Sequence, residues 1–325
     1  MGQLYYRSLH KEFFERFPKE ATEFHAVSGY LGPDPITRLS SLQMKSSIIF
    51  GLQRETPNLL LHEQLKKIHS EKVSIYYPDI PSHAKCYVWM AGQTPIRGLV
   101  GSANFSTNGL NNDFRETLIE VDKQDLYAVK AYIDVIKESS RPCSEVLVEN
   151  QTSNKTVEIK EYCDLELYDP DSGQVQEMSG LNWGFANGNV TPNDAYIPIR
   201  TKHIRGFPQL FLPVFFNPSE GHRSRSKSKE AVELIWDDGL IMQALFEGSQ
   251  PINGLNYPKQ ISSIPNKNLL GLYIRQRLNM NPVSNRRDQT EKITRQILER
   301  YGRSSVRLKL IQPGVYSADF SPLHK

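Results

Sequence analysis

The residues best suited to chemistry in this sequence are a histidine and a lysine two positions apart, His83 and Lys85. They flank the start of a short apolar run, AKCYVWM, whose composition predicts a β-strand. Side chains alternate between the two faces of a strand, so both residues are expected on one face, with Tyr87 and Trp89. An imidazole can attack as a nucleophile or carry a proton, and the ammonium group adds a fixed positive charge. The pair alone is a weak signal, because a lone histidine is more often a surface or satisfied core residue.

A second group of polar residues follows the apolar run RGLV, in the order Gly101-Ser102-Ala103-Asn104. Small residues at the end of a strand let backbone amides and short polar side chains approach an anion. Ser102 and Asn104 are expected to share a face. Glu116 opens the next apolar run, where its carboxylate could orient an imidazole. The alternatives are a tight turn for GSAN and a solvated strand start for Glu116.

Short strands interleaved with helices are expected to position these residues. Strands are predicted at EFHAVSGYLG, SSIIFGL, KVSIYYP, AKCYVWM, RGLVGSA and ETLIEVD. Helices are predicted at DPITRLSSLQ, PNLLLHEQLKKIHS and DLYAVKAYIDVIKESS, the last capped by Asp125. This order predicts an α/β domain, a mixed sheet flanked by helices on both faces.

Composition places the chain in the soluble globular class. Its 325 residues suffice for two domains, and 38% hydrophobic with 23% charged residues exclude wholesale disorder. The sequence shows neither eighteen consecutive uncharged apolar residues nor a basic and then apolar leader, so we expect a cytoplasmic protein without a membrane span. The three cysteines, Cys86, Cys143 and Cys163, are odd in number and far apart, which predicts reduced thiols.

Positive charge is concentrated in the second part of the chain. Residues 1–178 carry 19 basic and 25 acidic groups, a net charge of −6, whereas residues 179–325 carry 20 and 11, a net charge of +9. A basic half is typical of a protein that holds a polyanion, although an ordinary lysine-rich surface is the common alternative. The segment 151–178 holds seven acids and two lysines, and it predicts an acidic linker between a domain over 1–150 and a second domain over 179–325.

The second domain is predicted to be mostly β, in the form of a small open barrel. Asp238-Gly239 divides two apolar runs and predicts a hairpin. Further strands are predicted at GLYIRQRL and SSVRLKLI, and a short helix is predicted between Asp288 and Gly302. The polar, basic run 217–230 predicts a solvated loop.

The candidate catalytic residues between His83 and Glu116 resemble, in order and spacing, the half-site of the phospholipase D superfamily: His-x-Lys, then Gly-Ser-x-Asn, then an acid. The full family pattern has an aspartate seven residues after the histidine, where this chain has Met90. The nuclease branch, which includes the BfiI-like and NgoFVII-like restriction endonucleases, is similar in lacking that aspartate. The resemblance implies that His83 attacks phosphorus to give a phosphohistidine, without a divalent metal or other cofactor. Lys85, Asn104 and Ser102 are expected to hold the phosphoryl oxygens and Glu116 to align His83.

Only one of the eight histidines has a lysine two positions later. The implied mechanism uses two such histidines, so the second must come from another subunit. We therefore expect a twofold homodimer with one composite catalytic centre.

The phrases WGFANGN and NDAYIPI resemble the C-terminal module of the NgoFVII-like restriction endonucleases. That module is related to the plant B3 DNA-binding fold, a seven-stranded pseudobarrel that grips the major groove with two arms. The implied partner is double-stranded DNA, read by side chains that make paired hydrogen bonds to base edges. For any single residue, a phosphate contact or a solvated charge is the alternative. The predicted DNA-binding residues are Trp183, Asn187, Asn189, Arg200, Lys202 and Arg205 in one cluster, and Arg275, Arg277, Asn279, Arg286 and Arg287 in the other.

The first hypothesis is a site-specific, metal-independent restriction endonuclease. The alternatives are a less specific nuclease or phosphodiesterase of the phospholipase D type, and a DNA-binding protein with an inactive catalytic fold. The chain lacks a G-x-x-x-x-G-K-[ST] phosphate loop, so an ATP-dependent helicase or translocase would be a separate polypeptide. A cognate methyltransferase is the other expected partner.

Overall fold

The structure, a computed structural model, describes residues 2–52, 58–146, 162–213 and 229–323. It divides into two compact units: residues 1–156 with 311–315, and residues 157–310 with 316–325. The predicted loop over 217–230 lies outside the described residues except for its last two positions.

The first unit contains an eight-stranded mixed sheet. Its order is β1-β7-β6-β5-β2-β3-β4-β8, with parallel pairing of β2 with β3 and of β3 with β4. The strands are β1 (Leu4–Tyr5), β2 (Glu23–Ser28), β3 (Lys45–Phe50), β4 (Val73–Pro78), β5 (Lys85–Ala91), β6 (Thr94–Gly101), β7 (Leu118–Glu120) and β8 (Ser140–Pro142). The helices are α1 (His10–Phe14), α2 (Pro33–Leu39), α3 (Leu59–Ile68), α4 (Thr107–Asn111) and α5 (Leu126–Glu138). The predicted mixed sheet flanked by helices is confirmed.

Both faces of the central strands are buried. On one face, Val88 of β5 packs with Val27 of β2 and with Ile133 of α5. On the other face, Tyr87 and Trp89 are fully buried among aromatic rings. Alternation along β5 therefore separates two apolar layers, and the polar chemistry is confined to the end of the strand.

The second unit is built on a seven-stranded sheet in the order β10-β15-β12-β11-β17-β16-β9. Its strands are β9 (Tyr162–Glu166), β10 (Ile197–Pro198), β11 (Lys229–Trp236), β12 (Ile241–Glu247), β15 (Gln260–Ser263), β16 (Ser305–Gln312) and β17 (Val315–Asp319), and β13 (Gln250–Ile252) and β14 (Leu255–Tyr257) form a separate pair. The helices are α6 (Thr201–Gly206), α7 (Asn268–Arg277) and α8 (Arg295–Tyr301). β11 and β12 form the hairpin predicted at Asp238-Gly239.

The two edge strands of this sheet approach each other. Arg200, which follows β10, donates a hydrogen bond of 2.9 Å to the carbonyl oxygen of Glu166 at the end of β9. The seven strands thus nearly close around a core that includes Phe211, Trp236 and Phe246. This is the predicted mostly β, open-barrel architecture.

The acidic segment predicted as a linker is partly a strand. Within 151–178, β9 pairs with β16, and Cys163 and Leu165 lie in the buried core. Its alternation of buried apolar and outward acidic residues is that of a half-buried strand, which the acid count concealed. Residues 151–161 lie outside the described residues.

The segment GLYIRQRL forms most of helix α7, so the predicted strand is wrong. Leu270, Ile274 and Leu278 are buried at a spacing of four, which places them on one helix face. The predicted helix between Asp288 and Gly302 is shorter than expected: α8 begins after Thr294, whose side chain caps it, and ends at Gly302.

Candidate active site and DNA-binding surface

Several strand ends bring the predicted catalytic residues to one edge of the first sheet. His83 and Lys85 lie at the start of β5, and Asn104 lies just beyond the end of β6. Glu116 lies two residues before β7. β5, β6 and β7 are antiparallel neighbours, so the start of β5, the end of β6 and the start of β7 lie side by side.

Three of these side chains, those of His83, Lys85 and Asn104, converge around Gly29, the residue directly after β2. A Cβ atom built on Gly29 would lie 2.6 Å from Cδ2 of His83, 3.2 Å from Nζ of Lys85 and 3.3 Å from Oδ1 of Asn104. An imidazole, an ammonium group and an amide therefore surround one point. Such a set can attack a phosphodiester, neutralise its charge and hydrogen-bond its oxygens.

The Lys85 ammonium group is held in place by the backbone beside it. Lys85 is 6% exposed, and its Nζ donates a hydrogen bond of 2.8 Å to the carbonyl oxygen of His83. Burial lowers the pKa of Lys85, and the negative charge of Glu116 acts in the opposite direction. The site thus places a cation in a desolvated position, where its attraction for an anion is strengthened.

His83 is exposed and contacts an aromatic ring. The ring of Tyr30 meets the imidazole edge-on, with centroids 6.2 Å apart and an interplanar angle of 76°. Within the part of the chain that the structure describes, no hydrogen bond joins Glu116 to His83. The carboxylate of Glu116 acts on the pKa of Lys85, and the predicted alignment of the imidazole by Glu116 stays a prediction.

Asn104 is oriented by the turn after β2. Its Oδ1 accepts a hydrogen bond of 3.0 Å from the backbone N–H of Tyr30, which leaves the two N–H donors of the amide for another partner. Ser102 is exposed, and its Oγ accepts a hydrogen bond of 3.0 Å from the backbone N–H of Thr117. Ser102 thus ties the end of β6 to the start of β7, and its predicted phosphate contact stays a prediction.

The turn Ser28-Gly29-Tyr30 was not found from the sequence. Ser28 is fully buried; its Oγ donates a hydrogen bond of 2.7 Å to the carbonyl oxygen of Tyr30 and accepts one of 2.9 Å from the N–H of Phe105. This serine connects the turn to the Asn104 loop. The signal in the sequence was the run of small residues ending the predicted strand EFHAVSGYLG.

Among the predicted DNA-binding residues, Arg275 is corrected by the structure. It is 2% exposed, and its guanidinium donates to the carbonyl oxygens of Asn281 at 3.4 Å and Glu291 at 2.9 Å. Because α7 is a helix, this side chain points into the domain, where it satisfies backbone acceptors. Its role in the described structure is to hold the chain that follows α7.

Two other arginines of the second cluster are also bound within the domain. Arg277 donates to the carboxylate of Asp237 at 2.7 and 3.0 Å and to the hydroxyl of Tyr273 at 2.6 Å. Arg286 donates to the carbonyl oxygens of Val190, at 3.2 Å, and Ala186. It thereby joins the two predicted clusters, bringing 279–287 close to the loop that carries Asn187 and Asn189.

The first cluster contains a carboxylate surrounded by basic groups. Glu166 accepts hydrogen bonds from Arg200 at 3.3 Å, from His203 at 2.7 Å and from Lys202. Burial opposes ionisation of Glu166, but the hydrogen bonds from His203 and Lys202 prevail and lower its pKa to about 2. Arg200 and Lys202 are therefore partly neutralised where the structure describes them.

The remaining predicted residues lie at the surface. Asn187, Asn189, Arg205, Asn279 and Arg287 are exposed. Trp183 is half-buried: the ammonium group of Lys267 lies 4.7 Å from its ring centroid, and the ring of Tyr196 lies 5.6 Å away. These positions fit a DNA-contacting surface, and contact with DNA stays a prediction for each.

Three further observations concern the described residues only. Residues 2–52, 58–146, 162–213 and 229–323 contain no cluster of three or more His, Cys, Asp or Glu side chains that could bind a metal ion. Over the same ranges, helices lack the length and apolar content needed to cross a membrane. The three cysteines are free.

Two family models match the chain and together span most of it. The model of the NgoFVII restriction endonuclease N-terminal PLD domain matches residues 7–150, and that of the NgoFVII C-terminal B3-like DNA-binding domain matches residues 149–312. Both matches confirm the resemblances found in the sequence, including the B3-like fold of the second unit. No curated protein matches the chain.

Solved structures that resemble this one cover a little less than half of the chain. They include a phospholipase D family member, Nuc from Salmonella typhimurium, with 11% identity, 44% of this chain and 97% of that chain covered, and a TM-score of 0.34. NucT from Helicobacter pylori has 16% identity, coverage of 44% and 98%, and a TM-score of 0.31. Polyphosphate kinase from Porphyromonas gingivalis has 14% identity, coverage of 46% and 24%, and a TM-score of 0.31.

Proposed function

This chain belongs to the NgoFVII restriction endonuclease family, and we therefore propose that it hydrolyses phosphodiester bonds of double-stranded DNA at specific sequences. The observation that carries this proposal is the convergence of His83, Lys85 and Asn104 around Gly29. The basic second half of the chain supplies the attraction for DNA.

In the first chemical step, an unprotonated ring nitrogen of His83 attacks phosphorus. A nitrogen–phosphorus bond forms, and the bond from phosphorus to the leaving oxygen breaks. The ammonium group of Lys85 and the amide N–H groups of Asn104 stabilise the negative charge on the nonbridging oxygens. The leaving oxygen takes a proton from a second imidazole.

In the second step, water attacks the phosphohistidine. The nitrogen–phosphorus bond breaks, His83 is restored, and the imidazole that donated a proton accepts one from the attacking water. The net reaction consumes one water and requires no metal. The second imidazole is proposed to be His83 of another subunit, because no other histidine in the sequence has the His-x-Lys pattern.

The second unit is proposed to select the sequence. Its exposed residues Asn187, Asn189, Arg205, Asn279 and Arg287 are candidates for contact with bases or phosphates. A separate ATP-dependent translocase and a cognate methyltransferase are proposed partners, and the chain's neighbours in its genome would show whether they accompany it.

The decisive experiment is cleavage of mixed-sequence DNA in EDTA by the unaltered protein and by His83→Ala. We expect discrete fragments from the unaltered protein and none from His83→Ala, with specific DNA binding retained by both. His324→Ala is the matched histidine control and should cleave normally. Full activity in His83→Ala, or activity only with added metal, would contradict the mechanism. Random fragments would indicate a less specific nuclease, and binding without cleavage would indicate an inactive fold.

A further inference from the structure

We propose that Gly29 is a positioning residue of the catalytic centre: because it lacks a side chain, it keeps open the space in which His83, Lys85 and Asn104 meet. The inference rests on the proposed function, since it concerns the same centre. It adds a residue from the turn after β2 to a site otherwise built from the ends of β5, β6 and β7.

Space, rather than backbone conformation, requires a glycine at this position. The φ angle of Gly29 is not positive, so an alanine could adopt it without strain. A Cβ atom would nevertheless lie 2.6 Å from Cδ2 of His83, closer than nonbonded carbon atoms approach. Substitution must therefore move a neighbour.

The backbone of the Ser28–Tyr30 turn is held in place by hydrogen bonds. The carbonyl oxygen of Gly29 accepts a hydrogen bond of 3.0 Å from the N–H of Leu52, and that of Ser28 accepts one of 2.8 Å from Gly51. The buried Oγ of Ser28 holds the carbonyl oxygen of Tyr30. Three hydrogen bonds thus anchor three successive residues.

Among the three side chains around Gly29, the imidazole is the one able to yield. Lys85 is buried and bonded to the carbonyl oxygen of His83, and Asn104 is bonded to the N–H of Tyr30. His83 is exposed, and its ring has no hydrogen bond within the described residues. A methyl group on Gly29 is therefore expected to turn the His83 ring away while the rest of the site keeps its place.

The test is Gly29→Ala, with Gly206→Ala as the matched control. Gly206 has no atom within 4 Å of a built Cβ and no positive φ, so it reports the cost of an alanine alone. Displacement of a reacting group by about 1 Å costs on the order of 100-fold in rate. We expect Gly29→Ala to lower the single-turnover cleavage rate at least that far, with specific DNA affinity and melting temperature within error of the unaltered protein. Gly206→Ala should keep the rate.

A readout independent of cleavage is the imidazole signal of His83 in NMR spectra of the full chain, assigned by its loss in His83→Ala. Gly29→Ala should shift this signal, whereas Gly206→Ala should leave it unchanged. An unshifted signal with a full cleavage rate would overturn the proposal. So would a Gly29→Ala protein that no longer folds, because the proposal requires the imidazole and not the backbone to move. If the unaltered protein does not cleave DNA, the proposed function fails, while the His83 signal still tests the position of the ring.

Discussion

Lys85 combines a buried position with a positive charge, and burial and one nearby carboxylate shift the pKa of its ammonium group in opposite directions. Desolvation lowers the pKa of its ammonium group, while the carboxylate of Glu116 raises it. The balance determines the pH range over which Lys85 carries its positive charge. For Glu116 this suggests a charge effect on Lys85 as a second hypothesis beside the predicted alignment of the imidazole.

Replacement of Glu116 is expected to change the pH dependence of cleavage. If charged Lys85 is required, the rate falls at alkaline pH, starting below the pH at which an ordinary lysine loses its proton. Glu116→Gln removes the opposing carboxylate, lowers the pKa of Lys85 further and moves this fall to lower pH. Single-turnover rates from pH 6 to 10 measure the shift, with the exposed Glu71→Gln as control. A reduced rate with the alkaline fall in its original place would favour alignment of His83 instead.

At the scale of elements, the sequence predicted the strands whose alternation or apolar content is strong, and it predicted a site at the strand ends where His83, Asn104 and Glu116 stand. It failed where a short apolar run fits either element. In GLYIRQRL a run of three apolar residues from Leu272 is typical of a strand, yet Leu270, Ile274 and Leu278 also have helical spacing, and only tertiary burial decides between the two. The Ser28–Tyr30 turn was not predicted as part of the site, because its role depends on contacts with residues more than fifty positions away in the sequence.

The carboxylate of Glu166, which joins β9 to α6, is expected to stabilise the second unit in a pH-dependent way. Because its pKa is lowered to about 2, ionised Glu166 contributes stability above the pKa of an unfolded glutamate, and this contribution is lost as pH falls towards 2. Glu166→Gln should cost about 1.5–3 kcal/mol at pH 7, the typical range for hydrogen bonds to charged groups. The difference from the unaltered protein should shrink between about pH 5 and pH 2.

Urea unfolding at several pH values measures this effect, and Glu299→Gln, which removes an exposed ion pair with Arg295, is the control. A constant stability difference across the acidic range would show that the Glu166 charge is not the source.

At the scale of the whole molecule, the basic charge of the second half is divided between internal and external tasks. Arg275, Arg277 and Arg286 donate hydrogen bonds to acceptors within the domain, whereas Arg205 and Arg287 are exposed. A charge count from the sequence therefore overstates the charge that meets DNA.

Substitution of one arginine from each group should separate the two tasks. Arg287→Ala should weaken DNA binding with no change in melting temperature, and it should reduce the slope of log K against log salt by about 1 if it contacts a phosphate. Arg275→Ala should lower the melting temperature, because it leaves the carbonyl oxygens of Asn281 and Glu291 without their donor. Equal effects of both variants on melting temperature would contradict this division.

The single His-x-Lys pattern predicts that two subunits share one centre. Mixed dimers with one unaltered and one His83→Ala subunit should be nearly inactive if the centre is composite. Independent centres would keep about half of the activity, and a monomer that cleaves at the full rate would exclude sharing. Differently tagged subunits, purified as the mixed species, allow the measurement.

Strand β9 has a practical consequence for engineering. It lies within the acidic segment but completes the sheet of the second unit through pairing with β16. A module cut at residue 179 would lose an edge strand and the core side chains Cys163 and Leu165, and it should aggregate through its newly exposed edge. Chimeras that exchange sequence specificity between related nucleases should therefore be joined before Tyr162, so that the transplanted module carries its own β9.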